Sequence, residues 1–254
     1  MVFTDRLVFI HLPKTGGTFV TKILRDIHRR RVGPLAKLKG KLLGWGYTDT
    51  NKHGTCEEIP AELRARPILG IVRNPYDRYV SRYEYGWWKE NPRAWWDWNR
   101  IRAKYPKFPE LTFPEFLDVG SGMLHKIRSD RLPEEARLGT YSEEFVRFYF
   151  REPARVFPLV DDAYIAARAW EKDMHPVRFL KTETLNRDLH AALLAVGYPA
   201  DAIEFILTAE KVLPPGGKPR SGAKWEKYYT PELKALVRRR ERLLFTLFPE
   251  YDVP

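Results

Sequence analysis

The sequence predicts an α/β chain in three layers, with a central parallel sheet flanked by helices. Three observations carry that expectation. Residues 7–11, 68–72 and 177–181 are short, largely apolar runs of the kind found in strands buried on both faces. The first is followed by Phe19, Val20, Ile23, Leu24 and Ile27, and the third by Leu189, Leu193 and Leu194, all at helical spacing. Strands that alternate with helices in this way pair in parallel and need both faces of the sheet covered.

Taken in order, the first strand ends at His11 and runs into a loop, Pro13 to Thr18, before the helix that starts the Phe19 series. The second strand exits through Arg73, Asn74 and Pro75, and proline suits the first turn of a helix. Between residues 86 and 140 the pattern breaks into aromatic, proline- and glycine-rich text, expected to be an insertion or lid over the ligand-binding edge of the sheet. No internal repeat is evident. With 254 residues, 44% of them hydrophobic, and no obvious linker, one domain over 1–254 is expected.

Composition narrows the partners. The formal net charge of +11 points to anionic ones: a nucleotide, a sulfated or phosphorylated substrate, nucleic acid or a membrane surface. Cys56 is the sole cysteine, so no internal disulfide forms. No signal-like segment or long apolar span precedes the first strand, and a cytoplasmic location is the expectation.

The segment FIHLPKTGGTFV, residues 9–20, carries the chemistry. A loop that leaves a buried strand and opens a helix presents backbone N–H groups and a positive dipole end to an anion, and Gly16 and Gly17 allow close approach. The nucleoside triphosphate version, GxxxxGK[ST], places its lysine after the glycines. Here Lys14 precedes Gly16, and the upstream glycine is missing. A lysine ahead of the turn suits charge that grows on a leaving oxygen.

These residues resemble the sulfotransferases that use 3′-phosphoadenosine 5′-phosphosulfate (PAPS). PKTGGT, with Lys14, Thr15, Gly16, Gly17 and Thr18, is similar to their 5′-phosphosulfate loop, and RNPYDRYVS, with Arg73 and Ser81, is similar to their 3′-phosphate site. Weaker likeness extends to HPVRFLKTETL (175–185) and to PRSGAKWEKYYTPEL (219–233), where Arg220, Ser221 and Gly222 fall in the family's nucleotide-covering loop. His53 stands upstream of the Arg73 strand, where the family carries its catalytic base. The resemblance implies a P-loop-like sulfotransferase fold, PAPS as donor, 3′-phosphoadenosine 5′-phosphate (PAP) as product, and His53 and Lys14 as catalytic groups. Thr182, where many members have Tyr, and Ser221, where many have Lys, depart from the pattern.

Elementary chemistry agrees with that picture. PAPS carries a phosphosulfate and a separate 3′-phosphate, so selectivity over ATP needs two anion pockets, and Arg73 with Ser81 supplies the second. Sulfuryl transfer needs in-line attack, charge stabilisation and removal of the acceptor proton, and this scheme requires no metal. Plainer readings stand beside these. Arg73 could cap a strand, Asp77 suits a first-turn helix acid, His11 suits support of the loop, and Cys56 lacks companions for a metal site. Five of the eight Trp fall within residues 87–98, as core packing or as a wall for an acceptor. The basic run 28–41 suits an anionic acceptor, a lipid headgroup contact at a membrane periphery, or plain solvation. The expected acceptor is a small molecule, glycan or glycolipid. The rivals are a kinase-like phosphotransferase, disfavoured by the missing ATP-loop pattern, and a non-catalytic nucleic-acid binder, suggested by charge and aromatics.

Overall fold

The computed structural model describes residues 1–30, 46–92, 98–122, 133, 136–210, 212 and 224–252. Strands β1 (Val2–Phe3), β2 (Val8–Phe9), β3 (Thr48–Asp49), β4 (Ile68–Val72) and β5 (Val177–Lys181) form one sheet in the order β3-β1-β2-β4-β5. The longer helices are α1 (Gly17–Arg30), α2 (Pro75–Tyr85), α3 (Trp98–Lys104), α4 (Phe113–Gly122), α5 (Thr140–Tyr149), α6 (Leu185–Ala195) and α7 (Pro231–Arg240).

The α/β class expected from the sequence is present, with one refinement. Strands β2, β4 and β5 are parallel, with Phe9 opposite Leu69 and Ile71 opposite Leu180. Strand β1 adds antiparallel to β2, and β3 antiparallel to β1, so the whole sheet is mixed.

The chain divides into two compact units, Met1–Arg73 with His175–Gly217, and Asn74–Met174 with Lys218–Pro254. The first holds the entire sheet with α1 and α6. Its core joins Phe9, Leu69, Ile71 and Leu180 to Phe19, Val20, Ile23, Leu24 and Ile27 of α1 and to Leu185, Leu189, Ala192 and Leu193 of α6. Each Val, Leu, Ile or Phe side chain among these, once fully buried, contributes about 1.5–3 kcal/mol before the cost of ordering it. Val8, Ile10, Ile68 and Val72, which alternate with the core residues along the strands, are buried as well, so both faces of β2 and β4 are covered. Leu194, at 41% exposure, lies off the inner stripe that Leu189 and Leu193 define.

In the second unit, α2 starts as the sequence predicts. Pro75 occupies the first turn, and the Asn74 side chain accepts from Tyr76 N at 2.9 Å. Arg78 is 1% exposed, pairs with Glu144 of α5, and lies 3.9 Å from the centroid of the Tyr141 ring. Arg82 Nη1 donates to the other Glu144 oxygen at 2.9 Å. The buried Glu241 carboxylate accepts from the backbone N–H of Tyr141 at 3.2 Å, from the N–H and hydroxyl of Ser142, each at 2.7 Å, and from the Tyr79 hydroxyl. A carboxylate from a distant segment thus caps α5, whose own N-cap, Gly139, has no side chain to do so. A Cβ on Gly139 would meet Glu241 Oε1 at 2.0 Å, so the missing side chain is what admits the carboxylate.

Residues 86–140, expected to be an insertion or lid, contribute α3, α4 and the short helix Trp87–Glu90 to this second unit. The Trp cluster divides by burial. Trp88 is buried and its ring lies 5.4 Å from that of Phe116, whereas Trp87 is 47% exposed. Trp95 and Trp96 lie outside the described residues.

Candidate active site

The loop between β2 and α1 is held in a shape that few sequences adopt. Lys14 has φ +65° and Gly16 φ +96°, the left-handed region that a side chain disfavours. Three contacts fix it. Thr15 is fully buried and its hydroxyl donates to the Leu12 carbonyl at 2.8 Å. The Thr182 hydroxyl, at the exit of β5, has the Thr15 carbonyl at 2.7 Å and the Val72 carbonyl at 3.1 Å as acceptors. Arg73 Nη1, at the exit of β4, donates to the Lys14 carbonyl at 3.1 Å. The ends of three adjacent parallel strands therefore converge on one loop, at the carboxyl edge where open α/β sheets bind ligands.

Each glycine answers to a neighbour. A Cβ on Gly17 would stand 2.0 Å from Cδ2 of the His11 ring, and one on Gly16 would stand 2.9 Å from Leu185 Cδ2. Gly17 opens α1, whose first turn carries no acidic residue. Its backbone N–H groups and dipole are thus not opposed by a local carboxylate.

His11 and His53 meet beside the loop. Their ring centroids are 5.0 Å apart at 67°, and His53 Nδ1 lies 3.0 Å from the His11 carbonyl oxygen. A carbonyl only accepts, so Nδ1 carries the proton of that bond, and in the neutral ring the lone pair is on Nε2. Burial, then the nearby His53 and Lys52 charges, lower the His11 pKa to about 3. His11 is therefore neutral at ordinary pH.

The remaining sequence-predicted residues are placed as follows. Thr18 is half-buried in the first turn of α1. Ser81 is buried on α2, in the unit that begins at Asn74. Arg220, Ser221 and Gly222 lie outside the described residues. The segment that follows them is anchored on α2. Trp225 stacks on Tyr76 with centroids 5.0 Å apart, the Tyr229 hydroxyl donates to the Tyr76 carbonyl at 3.0 Å, and the Tyr228 hydroxyl donates to Glu84 at 2.7 Å. Among the described residues, no group of three or more His, Cys, Asp or Glu side chains is placed to hold a metal ion. No helix there is long and apolar enough to cross a membrane.

Sequence reasoning missed what holds the loop. Thr182 appears in the sequence only as a departure from a family pattern, yet it joins the exits of β4 and β5 to the loop. The available signal was a hydroxyl directly after an apolar strand, where loop carbonyls gather. Thr15 offers its hydroxyl inward, so any contact from Thr15 to an anion falls to its backbone N–H.

The fold and this loop define an α/β chain whose glycine loop is clamped at the carboxyl edge of its parallel strands. No family model and no curated protein matches the chain. Among solved structures, it is similar to the mouse sulfotransferase SULT7A1 complexed with PAP, at 15% identity and a TM-score of 0.46, over 97% of this chain and 83% of that one. At that identity and score the likeness assigns no residue a role.

Proposed function

We propose that this protein transfers a sulfuryl group from PAPS to an acceptor hydroxyl, on a carbohydrate or glycolipid, with His53 as general base. The observation that carries the reading is the way two chemically different groups attach to one short segment. His53 is oriented by the carbonyl of His11, and Lys14, three residues further on, rides on a loop clamped by Arg73 and Thr182. The donor set fits a phosphosulfate: an ammonium, helix N-terminal amides, and no acid in the first turn of α1.

When bound, PAPS supplies the sulfuryl group and a leaving phosphate. Lys14 neutralises charge that grows on the bridging oxygen, and the α1 amides hold the non-bridging oxygens. His53, with Nδ1–H committed to a backbone carbonyl, takes the acceptor proton at Nε2. Arg73, as its motif suggests, reads the 3′-phosphate. A cytoplasmic location, where thiols stay reduced, suits a chain whose sole cysteine is Cys56.

The test is transfer of labelled sulfate from PAPS to a panel of sugars, glycolipids and phenols, with calorimetry of PAP against AMP. PAP is expected to bind much more tightly than AMP. Arg73→Ala separates two roles for that residue. A guanidinium that reads the 3′-phosphate costs PAP roughly 1.5–3 kcal/mol and AMP much less, whereas one that only clamps the loop weakens both equally. Equal affinity of the unmutated protein for PAP and AMP, with no sulfate transferred, sinks the proposal.

A further inference from the structure

Beside the loop, wholly within the first unit, lies a cavity of about 430 Å³ lined by Met1, His11, Thr18, Thr21, Arg25, Asp49, Thr50 and Lys52. Its size falls within the roughly 300–1,000 Å³ of ordinary small-ligand sites. Its chemistry is polar: three hydroxyls, two side-chain cations and one carboxylate, with the Met1 ammonium donating to the carbonyls of Asn51 and Lys52. Among the described residues, the side chains of Arg25 and Lys52 have no carboxylate partner, and the hydroxyls of Thr18, Thr21 and Thr50 have no hydrogen-bond partner. His11 forms part of the wall at 4% exposure, with Nδ1 buried and without a hydrogen-bond partner. A buried polar atom left this way costs free energy that an apolar ring in the same place would not.

We propose that this cavity is the recognition subsite for the acceptor, and that it takes a sugar residue bearing an acid group. The inference rests on the sulfuryl-transfer reading for the word acceptor, and on the cavity itself for the ligand class. Two side-chain cations against one carboxylate leave the lining net positive, which favours an anionic ligand over a neutral one. A sugar acid gives Arg25 and Lys52 a carboxylate, and its hydroxyls meet Thr18, Thr21, Thr50 and Asp49. Position agrees with this role. His11 lines the cavity and its carbonyl holds His53 Nδ1 at 3.0 Å, while Thr18, also in the lining, stands in the first turn of the helix that follows the Lys14 loop.

The probe is a tetrasaccharide of alternating glucuronic acid and N-acetylglucosamine, compared with its carboxyl-reduced, uncharged counterpart. Binding of each to the full chain with saturating PAP is measured by calorimetry. The acidic form is expected to bind at least about tenfold more tightly, and Arg25→Gln and Lys52→Gln each to lose about tenfold on the acidic form alone. Arg102→Gln, exposed on α3 in the other unit, removes the same net charge and is expected to bind like the unmutated protein. Thermal melting of each variant checks that it is folded. Equal binding of the two sugars, no binding of either, unchanged affinity in both cavity variants, or an equal loss in Arg102→Gln overturns the assignment. The PAP preference over AMP, read on the same samples, separates the two claims. An intact preference without sugar discrimination condemns the subsite alone, and sugar discrimination without a PAP preference condemns the transferase reading alone.

Discussion

Gly17 has no substitute while His11 keeps its ring in place. That ring is held between Phe9 and His53, at centroid distances of 6.0 Å and 5.0 Å, so it cannot retreat from a Cβ that would arrive at 2.0 Å. Gly17→Ala is expected to lower stability by about 1–3 kcal/mol in urea unfolding, the usual cost of overpacking, and to weaken PAP binding. Truncating the ring as well, in Gly17→Ala with His11→Ala, returns part of the stability. An unchanged midpoint for Gly17→Ala alone would show that the ring moves freely. The two catalytic assignments separate at this scale too. His53→Ala is expected to retain PAP binding and lose roughly 10²- to 10⁴-fold in turnover on a sugar hydroxyl. Lys14→Ala loses turnover and nucleotide affinity together, because a cation on the phosphosulfate acts in the ground state as well as the transition state. A strongly acidic phenol, already ionised, should rescue His53→Ala and leave Lys14→Ala impaired. Equal rescue of both variants removes His53 as base and turns attention to Glu57 and Glu84, the second of which already accepts from Tyr228.

Among elements, α5 depends on a residue about a hundred positions away. Glu241→Ala leaves the N–H groups of Tyr141 and Ser142 and the Tyr79 hydroxyl without their acceptor. At about 1–3 kcal/mol for each buried unsatisfied group, the expected loss is at least ~3 kcal/mol. Faster hydrogen exchange in the first turn of α5 would accompany it, and Glu241→Gln, which keeps one acceptor oxygen, should lose less. Normal protection of Ser142 N–H in Glu241→Ala would show that the cap is dispensable. Nothing local in the sequence announces this contact, since Gly139 and Glu241 become partners only through tertiary structure. The parts that were legible are those written in local period. Phe19, Val20, Ile23, Leu24 and Ile27 mark the inner face of α1, and the apolar text of 68–72 coincides with β4. Strand β1 was not legible because Val2 and Phe3 stand alone before the polar residues Thr4, Asp5 and Arg6, and the exposed Thr48 and Asp49 of β3 carry no apolar signal. The loop was recognisable from Lys14, Gly16 and Gly17, but its clamps come from the exits of β4 and β5, which only the sheet brings together.

Over the whole molecule, acid sensitivity has a source in each compact unit. His11, in the first, is lowered from 6.5 to about 3, by burial above all and then by the charges of His53 and Lys52. In the second unit, burial works against the Glu144 charge, but Arg82 and Arg78 outweigh it and lower the pKa from 4.5 to about 2. Both shifts have the same sign for stability. Below its ordinary value each group takes up a proton in the unfolded chain that the folded chain refuses, so folding weakens as pH falls. The windows differ: His11 acts from 6.5 down to about 3, and Glu144 from 4.5 down to about 2. Unfolding free energies from urea titrations at pH 7.5, 6.5, 5.5 and 4.5 should therefore fall through the last two steps by about 1 kcal/mol per pH unit on account of His11. His11→Phe, which keeps a ring over Gly17 but cannot titrate, should flatten that limb. Glu144→Gln should leave it unchanged and alter only the limb below pH 4.5. The growing positive charge of a chain already at +11 adds a repulsive background that the three proteins share to within a single charge, so differences between their slopes report the two groups. Parallel slopes for His11→Phe and the unmutated protein between pH 6.5 and 4.5 would mean that His11 takes its proton in the folded chain, and that the neutral imidazole beside the loop is wrong.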